Sequence, residues 1–181
     1  HLTRLISARS NQVSVSREDI SAMVSVATEE EVIEKDEKKM IQNLLKLDEL
    51  TAHEIMTPSA VVEMAECGMS IREFYDSDLS HSRIPVYDEE NDEYVIGYVL
   101  RQEILEKMAE DKFSTKLIDI TRPIMSFTEE TSVSDIWEKM LEKKEHISVI
   151  LDEYGSLRGI VTLEDVIETM LGHEIVDEKD E

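Results

Sequence analysis

Gly159-Ile160-Val161-Thr162-Leu163-Glu164-Asp165 is the stretch that decides the fold. It follows a short apolar run, Ile147-Ser148-Val149-Ile150-Leu151, and a turn, Asp152-Glu153-Tyr154-Gly155-Ser156. It leads into a helical pattern, Val166-Ile167-Glu168-Thr169-Met170-Leu171. The order is strand, turn, strand, helix, with a hydroxyl and a carboxylate where the helix begins. Thr162 and Asp165 have two readings. A Thr at the N-cap and an Asp three residues later close a capping box. Turned outward, the same pair offers a carboxylate to a ribose diol and a hydroxyl as a third contact.

An earlier part of the chain carries a degraded copy of this pattern. Ile55-Met56-Thr57-Pro58 is matched by Ile120-Thr121-Arg122-Pro123, and each is followed by an apolar pair expected to be extended, Val61-Val62 and Ile124-Met125. A serine then precedes a helix in both places, Ser70-Ile71-Arg72-Glu73-Phe74 and Ser132-Val133-Ser134-Asp135-Ile136. A strand ending in aspartate comes next, Arg83 to Asp88 and Ile147 to Asp152. Last is a Gly-led strand running into a helix, Gly97-Tyr98-Val99-Leu100-Arg101-Gln102-Glu103 and the stretch quoted first. The copies lie about 65 residues apart, longer than most solenoid periods. Two such units suit a pseudo-symmetric pair with a shared buried face.

Two tandem β-α-β-β-α units with these signatures resemble a pair of CBS (cystathionine β-synthase) motifs, a Bateman module. The segment Glu34 to Asp48 running into Glu54-Ile55-Met56-Thr57-Pro58 adds to the likeness, as do His81-Ser82-Arg83-Ile84-Pro85-Val86-Tyr87, Leu163 to Glu168 and the acidic end Asp177-Glu178-Lys179-Asp180. Together they resemble the cytosolic part of the CorC/HlyC family, relatives of the CNNM magnesium transporters, over most of residues 17–181. The resemblance implies an α+β fold: two CBS motifs as a pseudo-symmetric pair, preceded by a helical linker. The expected division is a linker and acidic helical segment at 1–49, CBS motif 1 at 50–112, CBS motif 2 at 113–173 and an acidic tail at 174–181. Within the first segment, Ser16 caps one helix with Ile20, Met23, Val24 and Ala27 on one face. A second helix is expected over roughly Glu34 to Leu47, with Met40, Ile41, Leu44, Leu45 and Leu47 apolar.

Composition sets the outer bounds. Apolar residues make up 41% of the 181, enough for a core in one domain or two small ones. The longest apolar runs are strand length, so no membrane-spanning helix is expected. The chain opens His1-Leu2-Thr3-Arg4, with neither a signal peptide nor an initiator Met, and reads as an excised piece. Cys67 is the only cysteine, which excludes an internal disulfide and a cysteine-cluster zinc site and fits a reducing compartment. A net charge of -23 argues against nucleic acid, which demands a basic surface. Acidic runs such as Glu29-Glu30-Glu31 and Asp88-Glu89-Glu90 read as solvated surface, with at most loose attraction for Mg²⁺, and no dedicated metal site is expected.

The chain shows no Ser/His/Asp set in a motif context, no Gly-rich phosphate loop and no G-x-G-x-x-G, so an enzyme is not expected. What the resemblance implies is a cleft between paired units, lined by strand ends and helix N-termini that suit phosphate. Carried over position by position, Thr162 and Asp165 match the family's ribose-binding hydroxyl and carboxylate. Thr57 matches the threonine before proline that lines the same cleft. His81 and Arg83 flank Ser82, placing a ring to stack on adenine and a guanidinium to neutralise phosphate. Ile84 and Pro85 supply apolar walls. The first copy departs from the pattern, with Leu100 and Glu103 in place of Thr and Asp, so one nucleotide site is expected rather than two.

The leading expectation is a regulatory module that binds an adenine nucleotide. ATP with Mg²⁺ comes first, with AMP, ADP and a dinucleotide open. The module belongs to the cytosolic face of a membrane magnesium/cobalt transporter, soluble itself, joined to the parent's transmembrane domain and homodimeric through its CBS motifs. Alternatives are a CBS pair regulating a soluble enzyme or another channel, and a dimerisation scaffold without ligand. The apolar faces Ile136, Trp137, Met140, Leu141 and Val166, Ile167, Met170, Leu171 exceed what one small sheet covers and point to core or dimer interface.

Overall fold

The fold is described from a computed structural model over residues 15–172. The start of the linker, His173 and the acidic tail lie outside the described residues. Two helices lead, α1 (Arg17–Glu29) and α2 (Lys35–Leu45). Ser16 caps α1 through a reciprocal box with Asp19, the geometry its S-x-x-D spacing requires. The two helices pack on each other, yet neither buries a residue fully. Ile20 and Met23, expected on one face of α1 with Val24 and Ala27, are exposed.

The rest is two copies of one unit. The first runs through α3 (Ala52–Ile55), β1 (Thr57–Pro58), β2 (Ala65–Glu66), α4 (Ile71–Tyr75), β3 (Arg83–Tyr87), β4 (Val95–Leu100) and α5 (Arg101–Ala109). The second has β5 (Met125–Thr128), α6 (Val133–Lys143), β6 (Ile147–Leu151), β7 (Leu157–Thr162) and α7 (Leu163–Leu171). Each unit holds three strands of which the outer two flank a middle one, the earlier parallel to it and the later antiparallel: β2 with β3 with β4, and β5 with β6 with β7. Ser70 and Ser132 cap α4 and α6 by accepting from the backbone N–H three residues on. Asp152 ends β6 because its Oδ1 accepts from the N–H groups of Tyr154 and Ser156, both at 2.9 Å, closing the turn. The apolar pair Val61-Val62 is not a strand. Pro58 leads into a 3₁₀ turn, Ser59–Val61, which leaves Val61 exposed and delays the strand to Ala65.

The lead-in segments are exchanged. β1, in the lead-in of the first unit, pairs with β7 of the second, Thr57 opposite Ile160 and Pro58 opposite Gly159. Reciprocally, Arg122 pairs with Tyr98 of the first unit in an isolated bridge. The cores follow the exchange. Leu47 and Ala52 pack with Val133, Ile136, Met140 and Val166, while Leu117 packs with Ile71, Phe74, Ile84 and Ile104. Both close approaches fall on glycine. A Cβ on Gly97 would overlap the Arg122 carbonyl oxygen, and one on Gly159 would overlap that of Thr57. Strand pairing across the halves thus fixes their relative position and leaves clefts between them. The expected apolar faces divide on folding: Ile136, Met140 and Val166 enter the core, while Leu141, Ile167 and Leu171 stay exposed.

Candidate functional site

One cleft of about 420 Å³ lies where the two units meet. From the first unit it takes Thr57 on β1, the segment Val61-Val62-Glu63, and His81, Ser82, Arg83 and Pro85 at the start of β3. From the second it takes His146 and Ile147 at the start of β6, Ile160 and Thr162 on β7, and Glu164, Asp165 and Glu168 on α7. Six of the seven residues expected at the site therefore stand together: Thr57, His81, Arg83, Pro85, Thr162 and Asp165. Ile84 does not join them. Side chains alternate along β3, so Arg83 and Pro85 face the cleft while Ile84 and Val86 turn to the opposite face, and Ile84 is fully buried in the core of the first unit.

Thr162 and Asp165 close a capping box. Thr162 Oγ1 accepts from the Asp165 N–H at 3.2 Å, and Asp165 Oδ2 accepts from the Thr162 N–H at 2.8 Å. Capping and cleft lining are thus not exclusive, because the box employs Oδ2 and the residue still faces the cleft. The position is costly for a charge. Burial pushes the Asp165 carboxyl above its ordinary range, the two hydrogen bonds from Thr162 pull it back, and Glu164 pushes it up again. Glu168, one turn on, is raised by burial and then by Asp165 and Glu164.

His81 is engaged through Nδ1 with the Glu63 carboxylate, which also accepts from the Ser80 N–H at 3.4 Å. The His81 hydrogen bond is the main reason the Glu63 carboxyl lies below its usual range. Sequence motifs did not single out Glu63, His146, Glu164 or Glu168. Of these, only Glu164 and Glu168 carried a sequence signal, since they share the first turns of the helix that begins at Asp165's box. Among the described residues, Arg83 forms no ion pair. It is the guanidinium left to meet an anion in a cleft with four carboxylates.

At the pseudo-equivalent position on the other side the capping residues differ and the side chains pair with one another. Leu100 is the N-cap of α5 and makes no side-chain cap bond. Glu103, in the place of Asp165, pairs with Arg122 at 3.4 Å. Tyr98 donates its hydroxyl to Glu145 at 2.8 Å, and burial, then that carboxylate, raise the phenol above its normal pKa against the pull of Arg122 and Arg83. Both contacts tie one unit to the other.

CBS-domain sequences match the chain over residues 52–110 and 117–172, covering both units. The chain belongs to the CBS domain family. Among relatives of this CBS pair, a UPF0053 protein, sll1254 of Synechocystis, is 34% identical over 174 residues, covering 92% of this chain and 48% of that protein. The magnesium and cobalt efflux protein CorC of Buchnera aphidicola is 27% identical over 168 residues, covering 92% of this chain and 57% of that protein. The chain thus spans about half the length of these two relatives. The solved CBS domain of a bacterial CNNM/CorC family Mg²⁺ transporter in complex with ATP superposes with a TM-score of 0.71 at 28% identity, covering 76% of this chain and 99% of that one. The pair is of the CorC/CNNM kind that the motifs resembled. No helix of the described residues is long and apolar enough to cross a membrane.

Proposed function

We propose that this CBS pair is the regulatory adenine-nucleotide module of a membrane magnesium/cobalt transporter and takes ATP with Mg²⁺ in the cleft that Thr57, Arg83, Thr162 and Asp165 line between its halves. The observation that carries this reading is the convergence of Thr57, His81, Arg83, Pro85, Thr162 and Asp165 on one cleft, while at the equivalent place opposite Glu103 is paired with Arg122 and the N-cap is Leu100. The ATP complex of a CNNM/CorC CBS domain supports the choice of ligand. The module performs no chemistry on the nucleotide: it binds, and its two halves transmit occupancy to the transmembrane domain of the parent protein. That places it on the cytosolic face of the membrane.

The cleft's charge gives Mg²⁺ a role. Glu63, Glu164, Asp165 and Glu168 face one free guanidinium, on a protein of net charge -23. Free ATP brings roughly four more negative charges, and Mg²⁺ halves that number. Among the described residues, no group of three or more His, Cys, Asp or Glu is placed to hold a metal ion. Mg²⁺ fits here on phosphate oxygens and its own waters, with Glu164 or Glu168 as an outer partner. Calorimetric titration is expected to show ATP binding at one site per chain, several-fold tighter in millimolar Mg²⁺ than in chelator. Equal affinity in both removes the ion from the mechanism, and no binding of ATP, ADP or AMP removes the nucleotide.

The exposed apolar residues Leu141, Ile167 and Leu171 lie on α6 and α7, and we assign them to a homodimer contact. Light scattering at tens of micromolar protein is expected to give twice the chain mass. A strict monomer, with and without ATP, refutes the assignment.

A further inference from the structure

Glu63 is a carboxylate in a cleft read here as taking a polyphosphate, and its place needs an account. It is not a stray surface acid. His81 Nδ1 and the Ser80 N–H both hold Oε2, and its side chain is 34% exposed. Among the described residues, Oε1 has no hydrogen-bond partner. A fixed carboxylate repels phosphate, so the phosphates do not lie against it. The same end carries apolar wall, Val61 and Val62 beside Glu63 in the chain and Pro85 across from them. Apolar wall plus a lone acceptor suits a flat, uncharged base that has a donor on its edge.

We propose that Glu63 is the base-reading residue of the cleft, its free oxygen accepting the exocyclic amino group of adenine, with His81 as the residue that positions it. This rests on the adenine-nucleotide reading above and goes beyond it by assigning base selectivity. Adenine presents an N–H donor at C6. Hypoxanthine and guanine present a carbonyl oxygen there, which meets the carboxylate acceptor to acceptor. A site that hydrogen-bonds the base's amino group rejects the analogue lacking it more strongly than an apolar slot does. The His81 bond holds the Glu63 carboxyl below its usual range, which favours the ionised, accepting form.

Inosine triphosphate differs from ATP in this one group and is the probe. Wild type is expected to bind ATP at least tenfold more tightly than inosine triphosphate, both with Mg²⁺. Glu63→Gln keeps the shape and can donate as well as accept, so the ratio should fall to within about twofold. Glu63→Ala should also bring the ratio near one, with melting curves showing that both variants are folded. His81→Ala should narrow the ratio only in part, since the Ser80 N–H still holds the carboxylate. If wild type binds both nucleotides equally, or Glu63→Gln and Glu63→Ala keep the tenfold preference, Glu63 does not read the base. If wild type binds neither, the nucleotide reading itself has failed.

Discussion

Asp165→Ala is expected to weaken ATP binding tenfold or more, and Glu103→Ala to leave it within about twofold. A hydrogen bond to a charged group is worth about 1.5–3 kcal/mol, which sets the first figure. Glu103 stands at the corresponding place in the first unit, but it is bound to Arg122 and its N-cap is Leu100, which has no hydroxyl to offer a ribose. Losing that exposed pair costs stability about 0–1 kcal/mol. Asp165→Asn separates binding from capping. The amide oxygen still accepts from the Thr162 N–H, while the carboxylate is gone. The sign of its stability effect follows from the raised pKa of Asp165. A carboxyl whose folded pKa exceeds the unfolded one gives stability that is present below the unfolded value and lost as pH rises through the folded value. At neutral pH the ionised Asp165 therefore costs stability, and Asp165→Asn should melt no lower than wild type while binding ATP less tightly. Titrations and melting curves on the three variants check this. Loss of binding in Glu103→Ala alone would place the site in the wrong half.

What was legible in the sequence had a short-range cause. Capping at Ser16, Ser70, Ser132 and Thr162 is a contact over three residues, so its spacing is visible in the chain. The two-unit repeat was visible because each copy repeats its own caps, turns and Gly-led strand. The exchange of lead-in segments was not. A repeat shows that Thr57 and Arg122 are equivalent, but says nothing of which unit each pairs with. Ile84 was misplaced for a related reason. The motif marks positions 81–85 as a block, whereas a strand sorts them by parity, and parity sends position 84 to the core. Glu63 and His146 reach the cleft through tertiary contacts between segments, and no local pattern announces such contacts. The unburied faces of α1 and α2 make the same point from the other side: apolar spacing reports a face, not what covers it.

Gly159→Ala tests the strand exchange and the cleft together. The added Cβ would overlap the Thr57 carbonyl oxygen and come within 2.9 Å of the Met56 sulfur. Met56 can swing aside, but the carbonyl belongs to the β1–β7 pairing and moves only with its strand. Overpacking of this kind costs about 1–3 kcal/mol, which for a chain of this size lowers the melting temperature by roughly 2–12 °C. Because Thr57 lines the cleft from that strand, ATP affinity should fall as well, by several-fold, although Gly159 itself lines no part of the cleft. Gly155→Ala is the control. Gly155 has φ of +80° at the β6–β7 turn with open space around its Cα, so alanine there brings backbone strain and no clash. It should cost about 1 kcal/mol and leave ATP binding unchanged. Equal loss of stability with unaltered affinity in both variants would show that the cleft does not depend on β1 being seated against β7. Loss of affinity in Gly159→Ala alone ties nucleotide binding to the segment each half lends the other.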